Sequence, residues 1–110
     1  MTSLNERLTE AREDVARLPG SETDAGQYFG HQAATLLACL RFGLGDDDGL
    51  RDRLYGAPEP VLRSAVELLS KDTSKDGKAA CRLLEPMRHL LGGELDDIIA
   101  IAVIALNRRP

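Results

Sequence analysis

The chain has 110 residues, of which 43% are hydrophobic, 29% charged and 4% aromatic, with no Trp and a formal net charge of -4. That length predicts one helical domain over residues 1–110 with room for a single core, and the composition is far from the signature of disorder. The acidic balance, with the three lysines (Lys71, Lys75, Lys78) confined to one polar stretch, supplies no basic face and excludes direct nucleic-acid binding.

Scarce aromatics leave Leu, Ala, Val and Ile to build the core, a mixture suited to helices packed on helices. Ser3-Leu4-Asn5-Glu6 has capping-box spacing. After it Leu4, Leu8, Ala11, Val15 and Leu18 recur at steps of four and three, with Glu10, Arg12, Glu13, Asp14 and Arg17 off that stripe. Pro19-Gly20 ends this first helix. The start, Met1 to Arg7, lacks the charged and apolar pattern of a secretory signal, and two cysteines are too few for a disulfide framework. The expected compartment is the cytoplasm.

A second helix is predicted from a cap at Ser21, Thr23 or Asp24 to about Phe42, ended by Gly43 and Gly45. Asp46-Asp47-Asp48-Gly49 makes an acidic turn ahead of a short third helix, Leu50 to Tyr55. Pro60 belongs in the first turn of a fourth helix whose Val61, Leu62, Ala65, Val66, Leu68 and Leu69 face inward. A polar turn over 71–77 leads to a fifth helix with Ala80, Leu83, Leu84, Met87, Leu90 and Leu91 on one face. Pro86 lies inside that pattern and removes a backbone donor, so a kink or a shortened helix is expected there. The last helix, from about Glu94, opens with acids, closes with Arg108 and Arg109, and is apolar all round from Ile98 to Leu106. Such a helix is buried on every side or completed by a second chain. At this length it cannot cross a bilayer, which needs about 20 residues, so no membrane partner is expected. The predicted fold is all-α, a compact bundle of five to six helices around the apolar C-terminal helix.

The chemistry-bearing residues do not assemble into a familiar motif. Asp72-Thr73-Ser74-Lys75-Asp76-Gly77 opens like a calcium loop, but the twelfth position, where a bidentate carboxylate belongs, is Leu83. The expectation is a capped helix–helix turn. His31 with Cys39, and Cys81 with His89, are each eight residues apart, about 12 Å along a helix, too far for one zinc ion to collect all four. Neither a Gly-rich phosphate loop nor a Cys–His pair within proton-transfer reach is present. No enzyme activity, cofactor or metal is expected.

What remains is surface. On the second helix Phe29, Leu36 and Leu40 point one way, His31, Ala38 and Phe42 nearly opposite, with Tyr28, Thr35 and Cys39 between. Either this helix is buried between two layers, or its mixed face meets a partner, since aromatic residues with a polar tip suit interface cores. The functional expectation is a helical protein-interaction module (adaptor, inhibitor or immunity-type) acting through Tyr28, His31, Thr35, Phe42 and Ile101. Its partner is another protein or a second copy in a homodimer. The alternative is a regulatory domain that binds a small molecule or metal through Tyr28, His31 and Cys39.

Overall fold

The computed structural model describes residues 3–45, 49–90 and 92–107. The acidic turn Asp46–Asp48, Leu91, and the closing Arg108 and Arg109 lie outside them. Six α-helices and one 3₁₀ turn are formed, with no strand among the described residues: α1 (Leu4–Ala16), α2 (Asp24–Leu44), α3 (Leu50–Gly56), α4 (Pro58–Ser70), α5 (Lys75–Leu84), the 3₁₀ turn (Glu85–His89) and α6 (Gly92–Asn107). The all-α bundle expected from the periodicity is the fold observed.

Local chemistry sets the boundaries. Ser3 caps α1, its Oγ accepting from the N–H of Glu6 at 3.1 Å. Thr23 caps α2: its hydroxyl accepts from Gly26 N at 2.9 Å and donates to the Gly20 carbonyl at 2.8 Å. Gly20, at φ 84°, takes the left-handed conformation that turns the chain from α1 into that cap. Pro58 and Pro60 both sit in the first turn of α4, where a missing N–H costs nothing. Pro86 ends α5 at Leu84, and the chain continues through the 3₁₀ turn rather than as a helix to residue 91.

α2 packs against α1, α4, α5 and α6, and it holds the longest buried run of the described residues, Ala33 to Arg41. Leu36, Leu37 and Leu40 within that run are wholly enclosed, each contributing about 1.5–3 kcal/mol by removal from water. α6 enters the core through Ile98, Ile99, Ala102, Val103 and Ala105, packing on α1, α2 and α3. It is not enclosed all round: Ala100 is exposed and Ile104 keeps 46% of its surface in solvent. Two inward assignments are corrected. Leu68 on α4 and Leu83 on α5 are exposed, because each lies about 100° from the centre of its helix's buried stripe, Leu69 and Leu84 taking the inward positions.

An ion pair ties the first two helices together. Arg41 is fully buried at its side chain, with Nη1 3.7 Å from Oδ2 of the largely buried Asp14. Another long-range tie joins α1 to α5, where the N–H of Leu4 donates to Oδ2 of Asp76 at 3.1 Å. The rest of the 72–77 turn is capping: Asp72 Oδ1 accepts from Ser74 N at 2.8 Å, and Ser74 Oγ accepts from Gly77 N at 3.0 Å. Hydrogen bonds donated to it by the Ser74 hydroxyl and backbone N–H hold the Asp72 carboxyl below its usual range. A Cβ at Gly77 would strike the Asp72 side chain, so a larger residue there would displace the capping carboxyl.

Candidate functional site

Gly26 and Gly30, four apart on α2, let two neighbours come close. A Cβ on Gly26 would collide with the carbonyl of Gly20, and one on Gly30 would stand 3.0 Å from Cγ1 of Val15. The wall of α2 that faces the end of α1 is therefore bare backbone. Beside it runs a cleft of about 320 Å³ between Val15, Leu18 and Pro19 on one side and Ile101 and Ile104 of α6 on the other. A shallower cleft of about 240 Å³ shares Val15, Ser21, Gly26 and Gly30 and is bordered by Arg12, Gln27 and His31. The Ser21 hydroxyl, the polar side chain common to both, donates to the carbonyl of Ala16 at 2.9 Å. The deeper cleft thus offers aliphatic surface and little else.

Its α6 side is a stripe. Asp97, Ala100, Ile101 and Ile104 follow at the three- and four-residue steps that share one helix face, with Glu94 a further turn toward the N-terminus. Asp97, Ala100 and Ile104 are exposed and Ile101 is half-buried against the core. Tyr28 links α2 to the start of that helix, its hydroxyl donating to Oε1 of Glu94 at 2.6 Å. The Glu94 carboxylate, through this bond and its charge, pushes the Tyr28 phenol above its ordinary pKa. Half of the Tyr28 surface remains in solvent, and its ring meets Phe29 edge-on at 5.0 Å between centroids.

The five surface residues expected from the sequence do not all meet. His31 borders the shallower cleft and Ile101 the deeper one, whereas Tyr28 lines neither and is held to Glu94 at the start of α6. Thr35 is buried, its hydroxyl bonded to the His31 carbonyl at 3.0 Å, so it presents nothing outward. Phe42 packs half-buried against the core, fourteen residues or about 21 Å along α2 from Tyr28. Cys39, the third member of the alternative face, is wholly buried among the core residues and shares no surface with Tyr28 and His31. Burial, with the nearby charge of Cys81 second, pushes its thiol up to about 12, which makes it a poor nucleophile and a poor metal ligand. Among the described residues no three His, Cys, Asp or Glu side chains gather as a metal site would require. His89, on the 3₁₀ turn, is exposed and lies 3.4 Å from Glu85.

Two features were not anticipated. The cleft rests on Gly26 and Gly30, and their signal was two glycines within one helix, each costing about 1 kcal/mol against Ala unless packing needs them. Arg41 was the other. Its signal was register, since it follows Ala34 and Leu37 on a face that is otherwise apolar.

No protein-family model, curated protein or solved structure matches this chain. Among the described residues no helix is long and apolar enough to cross a membrane.

Proposed function

We propose that this protein is a helical interaction module whose docking surface is the cleft between the end of α1, the N-terminal part of α2 and α6. One observation carries the reading: the deeper cleft is lined by aliphatic side chains and bare glycine backbone, and one wall of it is the half-exposed Ile104. Apolar surface left in water beside a cleft, on an otherwise charged molecule, is characteristic of interaction sites. Leu68, Leu83 and Tyr55 are also exposed, but each is a single residue on a separate helix, which is ordinary for a protein surface. Adaptor, inhibitor and immunity-type roles, all non-enzymatic, are uses of such a module in the cytoplasm. Self-association through the same face is the homodimeric form of the reading.

Immobilised wild-type chain and the variants Ile101→Glu and Ile104→Glu, each checked for intact helicity, test it in native lysate. Light scattering on the purified proteins covers the homodimer. A stoichiometric partner, or a dimer, that is lost with both variants supports the proposal. A wild-type monomer whose captured proteins are the same as those of the variants contradicts it.

A further inference from the structure

Charge around the cleft narrows the chemistry of what docks there. The α2 and α6 N-termini lie side by side, as the Tyr28–Glu94 bond shows, and they bring Glu22, Asp24, Glu94, Asp96 and Asp97 to one end of the molecule. All of these are exposed except Glu94, which is partly so. Asp97 stands one helical turn, about 6 Å, before Ile101 on the stripe that borders the cleft. On the α1 side Asp14, already shared with Arg41, also lies 3.5 Å from the exposed Arg17; Arg12 and His31 border the shallower cleft, and no charged side chain lines the deeper one.

Size narrows it further. At about 320 Å³ and open to solvent, the deeper cleft is at the bottom of the range of about 300–1,000 Å³ that encloses small-molecule ligands. It has room for one or two bulky side chains. A second copy would set the same five acids against themselves, on a chain whose net charge is already -4.

Resting on the reading of this cleft as a docking surface, the geometry points to a basic amphipathic helix of another protein as its occupant. One aliphatic or aromatic side chain of that helix fills the space between Leu18, Gly30, Ile101 and Ile104. Lys or Arg, one or two turns along, faces Asp97 and Glu94. The apolar anchor supplies most of the affinity, and the acids steer and select.

The test uses two synthetic amphipathic helices of the same leucine pattern, one carrying Lys and the other Glu, followed by fluorescence anisotropy at about 0.15 M salt. The Leu–Lys helix is expected to bind wild type, about tenfold more weakly to Ile104→Glu and about two- to fivefold more weakly to Asp97→Asn. Should Ile104→Glu lose helicity, Ala100→Glu on the exposed side of the same stripe replaces it. If the Leu–Glu helix binds as well as the Leu–Lys helix, and both need Ile104, the basic character is refuted while the docking cleft stands. If neither helix shows binding that depends on Ile104 or Ala100, the inference fails. A wild-type dimer dissolved by Ile104→Glu makes the occupant a second copy, and overturns the inference while leaving the docking cleft in place.

Discussion

α2 is one continuous helix with two different lives. From Ala33 to Arg41 every residue is buried, and the helix is a post around which α1, α4, α5 and α6 are arranged. From Asp24 to Gln32 it is mostly exposed, and it covers the end of α1 with glycine where side chains would otherwise intervene. Both segments are helical and both carry apolar residues, so helix propensity does not separate them. What separates them is how many neighbours close around each, and that decides whether an aromatic or hydroxyl group is packed inside or left in solvent.

The sharpest way to break this contrast is at Arg41. Its guanidinium is fully buried against Asp14, so Arg41→Ala leaves a largely buried carboxylate without that cation and should cost about 3–5 kcal/mol in a denaturant melt. A loss below 1 kcal/mol would mean that the pair is not desolvated. Close behind comes Leu36→Ala, expected to cost about 2–5 kcal/mol because the side chain is completely enclosed. On the other segment His31→Ala should stay within about 0.5 kcal/mol of wild type, since that residue is exposed. Equal losses at Leu36 and His31 would erase the distinction between the two segments.

Gly26→Ala probes how the exposed segment meets the turn before it. The added methyl must displace the backbone carbonyl of Gly20, so about 1–3 kcal/mol of destabilisation is expected despite the better helix propensity of Ala. A stabilised variant would show that the Gly20 turn and α2 do not approach so closely.

The last test is alkaline. Burial holds the folded Cys39 thiol neutral up to about 12, whereas the unfolded chain ionises from the ordinary thiol range. Cys39 therefore contributes no pH dependence near neutrality. Stability declines as pH rises from the ordinary thiol range toward about 12, because the unfolded state loses its proton first. Cys39→Ala should remove that part of the slope in melts recorded across this interval. An unchanged slope would place the thiol in contact with water.

Much of this fold is legible from apolar spacing and punctuation. The stripe from Leu4 to Leu18, the cap at Ser3 and the break at Pro86 follow from residue type and position, and Thr23 is the one of three candidate residues that caps α2. The candidate site is less legible, because periodicity assigns a residue to a face without saying what covers that face. Thr35 and Phe42 share the mixed face of α2 with His31, yet neighbouring helices cover the first and partly cover the second. The all-apolar sequence of α6 hides which side stays open, since Ile98 and Ile104 read alike until α1, α2 and α3 are packed against it. Arg41 is missed for the converse reason: a charged residue in an apolar register is recognised as buried only when its partner, Asp14 on another helix, is brought beside it.

The central claim is that the exposed segment of α2, the turn before it and the open stripe of α6 form the working surface, while the remainder is scaffold. Its most direct test is an NMR titration of the isotope-labelled chain with the Leu–Lys helix, following backbone amide shifts at every residue. The account predicts shifts concentrated in residues 18–31 and 94–104, with Ala33 to Arg41 and α4 nearly still. Shifts centred on Leu68 and Leu83, or none at saturating peptide, would contradict it.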